Sequence, residues 1–256
     1  MNRLEALFTR KKERVLNVYC TAGYPQLNST VRVMKALQEN GADLIEVGMP
    51  YSDPLADGPV IQASGSKALE NGMSIDVLFQ QLKNFRKEIY VPVILMGYMN
   101  PVLQFGFEKF CQYCADAPVD GLILPDLPEH EFESEYGAII RRYGLNFIFL
   151  VTPETSEERT KKLDSLSTGF LYAVSSSSIT GSDKDFLPVE AYLDKLRKLQ
   201  LKNPVLVGFG IKDKHTFDTA CKHANGAIIG SAYIKALENT ANLGGATKSF
   251  LDSILK

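Results

Sequence analysis

Residues 16–25 read LNVYCTAGYP, and this stretch distinguishes between the two folds that suit the rest of the chain. Its first five residues, LNVYC, form a mostly apolar run typical of a buried β-strand. An open, doubly wound sheet that binds a dinucleotide usually continues such a strand with the turn G-x-G-x-x-G. Here the turn is Thr21-Ala22-Gly23-Tyr24-Pro25, which lacks that pattern. The stretch therefore favours a closed barrel over an open sheet.

Similar strand-like runs return along the chain, and longer amphipathic segments separate them. Such an alternation predicts a parallel sheet, and eight strands in about 250 residues fit the closed (β/α)8 barrel, or TIM barrel. We predict one domain over residues 1–256, with extra helices at the N- and C-termini. The strand-like runs are 16–20, 44–48, 93–96, 121–124, 147–151, 170–174, 205–208 and 227–229, and the helix-like segments include 29–39, 75–88, 129–143, 156–167 and 189–199.

The charge balance and the apolar pattern exclude several classes of protein. Lys and Arg number 28 and Asp and Glu 30, a net charge of −2, so the chain has no basic excess for nucleic-acid phosphates. No run approaches the roughly 20 apolar residues of a membrane-spanning helix, and the first residues lack the apolar core of a secretory signal. We therefore expect a cytoplasmic protein. Cys111 and Cys114 form a C-x-x-C, but their spacing fits one face of a helix, and we expect them in the core.

One acidic residue interrupts the second strand-like run. Glu46 alternates with Ile45 and Val47, so its side chain points to the opposite face of the strand. If that face is the barrel interior, burial raises the pKa of the carboxyl and suits it to general acid–base catalysis near neutral pH. The alternative is a Glu that pairs with a buried cation.

A stiff loop, MPYSDPLADGP at residues 49–59, follows this strand. Rigid loops at the carboxyl ends of barrel strands hold functional side chains in place. Asp57 stands just before Gly58 and Pro59, so it either caps the next helix or acts in the site. The loop alone leaves both interpretations open.

Glycines follow the last two strands, as Gly208-Phe209-Gly210-Ile211 and Gly230-Ser231. These turns are the frequent phosphate site of the (β/α)8 barrel, because glycine lets backbone N–H groups approach an anion closely. The pair of turns indicates a phosphorylated substrate. After the sixth strand, residues 175–185 form a long polar segment, which is either a solvated loop or a lid over the strand ends.

Two other chemistries of this fold lack their residues. A Schiff-base aldolase needs a Lys at the end of a strand, and none of the eight strand-like runs contains Lys. A metal-dependent aldolase needs a His cluster, whereas His130, His215 and His223 fall in helix-like or helix-starting segments. We therefore predict no metal site and a chemistry that rests on carboxylates.

Residues 45–59, IEVGMPYSDPLADGP, resemble the signature of the tryptophan synthase alpha chain family. The resemblance implies a (β/α)8 barrel that cleaves indole-3-glycerol phosphate to indole and glyceraldehyde 3-phosphate in a retro-aldol reaction. Further matches run along the chain: TAGYP at 21–25, MGYMNP at 96–101, PDLP at 125–128, Tyr172, Thr180-Gly181, GFGI at 208–211 and Gly230-Ser231.

The resemblance also implies a role for each matching position. Glu46 would be the general acid–base, and Asp57 would accept the indole N–H hydrogen bond and stabilise the positive charge on the ring. Tyr172 would help position the substrate, and Thr180 would meet Asp57 when the lid closes. The remaining contacts would be Tyr19, Ile61 and Met96 at the indole ring, and Gly181, Gly210, Gly230 and Ser231 at the phosphate.

A partner follows from the same resemblance. The alpha chain docks on a beta chain that carries pyridoxal phosphate, in a heterotetramer of two alpha and two beta chains, and needs no cofactor itself. Asp53, Pro54 and Asn100 match positions at that interface. Three alternatives stay open: a stand-alone indole-3-glycerol-phosphate lyase, another phosphosugar barrel such as an isomerase, and a non-catalytic subunit that only activates a partner.

Overall fold

The computed structural model describes residues 2–174, 186–208 and 210–256, without the side chains of residues 186–188. In these residues nine parallel strands form one sheet, in the order β5-β4-β3-β2-β1-β9-β8-β7-β6. The strands are β1 Val15–Thr21, β2 Leu44–Gly48, β3 Val93–Met96, β4 Gly121–Ile123, β5 Asn146–Phe147, β6 Leu150–Val151, β7 Leu171–Val174, β8 Val205–Gly208 and β9 Gly226–Ile229.

The sheet closes on itself through β5 and β6, which stand at its two ends in the pairing order but are neighbours in sequence. Only Ile148 and Phe149 lie between them. The N–H of Ile148 donates to the carbonyl of Leu122 at 3.1 Å, and the carbonyl of Phe149 accepts from the N–H of Tyr172 at 3.0 Å. The segment 146–151 therefore bridges β4 and β7 as one barrel strand, and the predicted (β/α)8 barrel is confirmed.

Helices alternate with these strands around the barrel. In the described part of the chain, no helix combines the length and the apolar character needed to cross a membrane. The helices are α1 Arg3–Arg10, α2 Thr30–Glu39, α3 Pro59–Glu70, α4 Ile75–Leu82, α5 Met99–Phe105, α6 Phe107–Asp116, α7 Glu129–Glu131, α8 Gly137–Arg142, α9 Glu157–Leu166, α10 Phe186–Lys198, α11 Lys214–His223, α12 Ser231–Ala236 and α13 Leu243–Leu255.

Two of the predicted helices are shorter or less regular in the structure. The helix expected over 75–88 ends at Leu82, and Phe85–Lys87 forms a separate 3-10 turn. There the Arg86 side chain turns inward, with its guanidinium donating to the carbonyl of Val91 at 2.7 Å. The segment predicted as a helix over 129–143 contains a π-helical turn, Phe132–Tyr136, between α7 and α8. Neither difference is visible in the helical period of the sequence.

The extra terminal helices are both present. Helix α1 lies across the amino-terminal ends of the strands, where Leu4 and Leu7 are buried. A Cβ atom on Gly169 would lie 2.2 Å from Leu4 Cδ2, so the helix packs directly on the chain there. Helix α13 packs on the outside of the barrel, and its Leu255 reaches the turn at Gly41. Helix α1 thus covers the amino-terminal end of the barrel, and we expect the functional site at the carboxyl ends of the strands.

Candidate active site

The carboxyl group of Glu46 lies inside the barrel, near the carboxyl end of β2. The residue is 1% exposed, and Tyr19 is its register partner on β1. Asn17 Nδ2 donates to Glu46 Oε2 at 2.9 Å. Within the described residues, no Lys, Arg or His forms an ion pair with Glu46, so the buried-cation alternative has no support.

Burial sets the proton affinity of this carboxyl group. The pKa of Glu46 is raised to about 8, mainly by burial; the hydrogen bond from Asn17 lowers it and the negative charge of Asp57 raises it. A carboxyl with this pKa holds its proton at neutral pH and can give it up and take it back within one turnover. The geometry therefore supports the predicted acid–base chemistry.

Asp57 lies in the loop between β2 and α3 and is half-buried. The N-cap residue of α3 is Gly58, with no side-chain cap, so the interpretation of Asp57 as a helix cap is wrong. Burial raises the pKa of the Asp57 carboxyl, and a hydrogen bond with Tyr98 lowers it. The Tyr98 hydroxyl also accepts from the Ala56 N–H at 3.0 Å, which ties the loop to the end of β3.

Two tyrosine rings cross the barrel mouth where the neighbouring strand carries glycine. A Cβ atom on Gly48 would lie 1.9 Å from the Tyr19 hydroxyl, and one on Gly208 would lie 2.4 Å from the Tyr172 hydroxyl. Burial raises the pKa of both phenols, so both rings stay neutral at physiological pH. The charges of Glu46 and Asp57 act on both tyrosines as well. The four predicted residues therefore share one site.

The predicted indole contacts lie on one side of this site. A Cβ atom on Gly230 would lie 3.6 Å from Tyr19 Cβ and 3.7 Å from Ile61 Cδ1, so these three residues meet. Met96 ends β3 opposite Gly48, half-buried. Its carbonyl accepts the N–H of Met49 at 2.7 Å. Tyrosine, isoleucine and methionine side chains make a wall suited to a flat apolar ring.

The predicted phosphate contacts lie at adjacent strand ends. Strands β8 and β9 are paired, with Gly208 opposite Ile228. Gly210 follows β8 with a positive φ of 43° and is exposed. Gly230 follows β9 as the N-cap of α12, and Ser231 is the exposed first residue of that helix. N–H groups at such turns are free to donate to an anion.

Three positions of the sequence prediction lie outside the described residues. Thr180 and Gly181 belong to residues 175–185, the segment predicted as a solvated loop or a lid, and Phe209 falls between Gly208 and Gly210. Their roles stay predictions.

The residues predicted to meet a partner lie at the rim of the same site. Asp53 is exposed, Pro54 is half-buried, and Leu55 beside them is 94% exposed. Asn100, at the start of α5, donates from Nδ2 to the Tyr51 hydroxyl at 2.9 Å. The structure therefore brings Asn100 to the loop that carries Asp53 and Pro54.

Sequence reasoning assigned no role to three residues that shape this site, Gly48, Tyr98 and Asn17, and it assigned Gly208 only to the phosphate turn. Gly48 and Gly208 make room for the tyrosine rings, Tyr98 bonds to Asp57, and Asn17 bonds to Glu46. A signal was present for Asn17, because it interrupts an apolar strand as Glu46 does. The other three depend on contacts between separate strands and loops, which no local pattern reveals.

Fold and site together define the class of (β/α)8-barrel enzymes with carboxyl groups at the carboxyl ends of the strands. A family model described as tryptophan synthase alpha chain matches residues 6–251. The chain belongs to the tryptophan synthase alpha chain family. The predicted resemblance is thereby confirmed.

Individual relatives agree with this membership. The chain is 51% identical to the tryptophan synthase alpha chain of Flavobacterium johnsoniae, covering 99% of this chain and 100% of that one. It resembles the solved tryptophan synthase subunit alpha from Legionella pneumophila with a TM-score of 0.89 at 36% identity, covering 99% of this chain and 97% of that one. The aminoacrylate-bound tryptophan synthase from M. tuberculosis gives a TM-score of 0.86 at 30% identity, covering 99% and 100%.

Proposed function

We propose that this chain cleaves indole-3-glycerol phosphate to indole and glyceraldehyde 3-phosphate, with Glu46 as the general acid–base and Asp57 as the group that stabilises the charged ring. The observation that carries the assignment is the buried carboxyl of Glu46, whose bonded partner is a neutral amide. Indole is a poor leaving carbanion, so the ring carbon must be protonated before the carbon–carbon bond breaks.

The reaction needs one residue that first donates a proton and then accepts one. The carboxylic acid of Glu46 gives its proton to the indole ring carbon, which leaves a carboxylate and a positively charged ring. Asp57 accepts the hydrogen bond of the indole N–H and stabilises that charge electrostatically. As the carbon–carbon bond breaks, the glycerol hydroxyl gives its proton to the Glu46 carboxylate. The products are neutral indole and an aldehyde, and Glu46 is again protonated.

Substrate binding divides between the two sides of the barrel mouth. Tyr19, Ile61 and Met96 hold the indole ring, and Tyr172 positions the glycerol chain between ring and carboxyl. The phosphate binds to the turns after β8 and β9 and, from outside the described residues, to the segment of Thr180 and Gly181. Backbone N–H groups suit a dianion here because they supply positive dipoles without a mobile side chain. The binding residues of the phosphate are Gly181, Gly210, Gly230 and Ser231.

The indole passes to a beta chain in the biosynthesis of L-tryptophan, within a heterotetramer of two alpha and two beta chains. Asp53, Pro54 and Asn100 contact the beta chain, and the exposed side chain of Leu55 extends the same rim. We expect pyridoxal phosphate on the beta chain alone, no cofactor on this chain, one domain over residues 1–256 and a cytoplasmic location.

The substitution Glu46→Gln tests the acid–base assignment. It keeps the shape of the side chain and removes the transferable proton, so indole release should fall by about a thousandfold or more. Binding of inorganic phosphate, measured by calorimetry, should stay within about twofold of wild type, because the phosphate turns are untouched. A matched control is Glu70→Gln on the exposed side of α3, which should release indole at the wild-type rate.

The same assay separates the alternatives. Retained turnover in Glu46→Gln would refute the role of this carboxyl, and no indole release by the wild-type chain would favour another phosphosugar reaction. Adding the beta chain should raise the rate of indole release. A fast rate that the beta chain leaves unchanged would instead identify a stand-alone lyase.

A further inference from the structure

Asn17 is a polar residue whose neighbours on β1 and β2 are apolar. It lies on β1, two residues before Tyr19, and is fully buried. Val15 on its own strand and Leu44 on β2 belong to the apolar cluster that fills the amino-terminal end of the barrel. A buried amide costs free energy unless its polar atoms are hydrogen-bonded. We therefore expect a functional or structural role that offsets the cost of burying this amide.

Among the described residues, one end of this amide has a hydrogen-bond partner and the other has none. Asn17 Nδ2 donates to Glu46 Oε2 at 2.9 Å. Asn17 Oδ1 is buried and has no hydrogen-bond partner among the described residues. Asn146, a second buried asparagine at the base of the barrel, is different. Its Nδ2 donates to the carbonyl of Asp120 at 2.7 Å, and its Oδ1 accepts from Asn2 Nδ2 at 3.4 Å.

We propose that Asn17 is a positioning residue for Glu46, whose amide donates through Nδ2 to the carboxylate and, after a half-turn, accepts through Oδ1 from the carboxylic acid. An amide is one of the few side-chain groups that can serve both forms, because it carries a donor and an acceptor at the same distance. This inference rests on the proposed function, in which Glu46 passes through both forms in each turnover. Asn17 thus keeps the carboxyl bonded and aimed at the barrel mouth in both.

Several other groups act on Glu46 from the elements around it. In the described part of the chain these are Tyr19 and Cys20 on β1, Asp57 after β2 and Tyr172 on β7. Burial raises the pKa of the two tyrosines and of Cys20, so these three stay neutral near pH 7. Asp57 and burial both raise the pKa of Glu46, and the Asn17 hydrogen bond opposes them. Loss of Asn17 should therefore raise the pKa of Glu46, because a hydrogen bond to the charged carboxylate is stronger than one to the neutral acid.

The test compares Asn17→Leu with wild type in the indole-release assay from pH 5 to pH 10. Leucine has nearly the shape of asparagine and neither of its polar atoms. We expect kcat to fall about ten- to a hundredfold, with KM within about twofold. The limb of the pH profile that reports Glu46 should move up by about one pH unit. In Asn17→Asp that limb should move farther, because two adjoining carboxyls favour the protonated form.

Asn146→Leu is the matched control, since it is the same substitution at a buried asparagine that does not contact Glu46. It should lower the melting temperature and leave the pH profile unmoved. If Asn17→Leu fails to fold, the smaller Asn17→Val makes the same test. An unshifted limb and an unchanged kcat in the Asn17 variants, with Glu46→Gln inactive, would overturn the positioning role and leave the proposed function intact. Turnover by Glu46→Gln would overturn both.

Discussion

The two ends of the barrel are built from the same strands and differ in the side chains that they bury. On β2, Leu44 belongs to the apolar cluster under the barrel, and Glu46, two residues later, carries the buried carboxyl. On β1, Val15 belongs to the same cluster, and Tyr19, four residues later, crosses the mouth. Since alternate residues of a strand share a face, a few residues separate a packed core from a chemical site.

This difference shows where the fold gains stability and where it loses some. The amino-terminal end buries apolar side chains, and α1 covers them with Leu4 and Leu7. The carboxyl end buries Glu46 and half-buries Asp57, and burial raises the pKa of both carboxyls. Their charged forms are therefore less stable in the folded state than in water. The apolar end offsets this cost, so the comparison predicts opposite mutational behaviour at the two ends.

The largest expected effect is the pH dependence of stability that Glu46 imposes. Its folded-state pKa of about 8 lies above the ordinary value of 4.5. The unfolded chain loses this proton first, so the free energy of unfolding should fall as pH rises from about 4.5 to about 8. Glu46→Gln lacks the charge, so its free energy of unfolding should not fall in this way. Between pH 5 and pH 9 the difference in unfolding free energy, variant minus wild type, should therefore rise by roughly 3–5 kcal/mol. Urea unfolding of both proteins at the two pH values measures this gain.

Glu70→Gln serves as the control for this experiment, because Glu70 is an exposed side chain on α3. Its stability should follow that of wild type at both pH values. Parallel stabilities of Glu46→Gln and wild type would mean that Glu46 ionises as readily in the folded chain as in water.

The next effect belongs to the opposite end of the barrel. Leu4→Ala removes a fully buried side chain from beneath the strands, and the cavity should cost about 3 kcal/mol of unfolding free energy. Because α1 is remote from the mouth, kcat per folded molecule should stay at the wild-type value. Chemical unfolding and the indole-release assay measure the two quantities.

Leu55→Ala is the matched control, since it makes the same change at a side chain that is 94% exposed. It should alter the stability of the isolated chain by less than about 0.5 kcal/mol. A loss of kcat in Leu4→Ala at full folding would show that the two ends are coupled.

Most of the barrel, and the central carboxyl of its site, could be predicted from local sequence pattern. The runs at 44–48, 93–96 and 205–208 agree with the observed strands to the residue. The alternation of side chains alone predicted that Glu46 points away from Ile45 and Val47. The helix predicted over 156–167 is present as α9, which Ser156 caps by accepting from the Arg159 N–H. These features depend on residues close in sequence, whose geometry the strand or helix dictates.

What sequence pattern missed depends on contacts between distant segments. The Asn17 amide meets Glu46 across two paired strands, and the rings of Tyr19 and Tyr172 need a glycine on the strand beside them. The loop sequence left Asp57 undecided between helix cap and site residue, and the structure gives the N-cap of α3 to Gly58. No local period encodes such pairings, because they follow from the closure of the barrel.

The smallest of the three effects concerns Asp57, where the functional end extends into a loop. Asp57→Asn keeps an acceptor for the indole N–H and removes the negative charge, so kcat for indole release should fall about a hundredfold. The free energy of unfolding should not fall, because the half-buried carboxyl gains nothing from being charged there. Asp53→Asn, an equal change at an exposed position of the same loop, should leave cleavage by the isolated chain unchanged. If Asp57→Asn turns over within a few-fold of wild type, the charge of Asp57 is not needed and the acid–base chemistry rests on Glu46 alone.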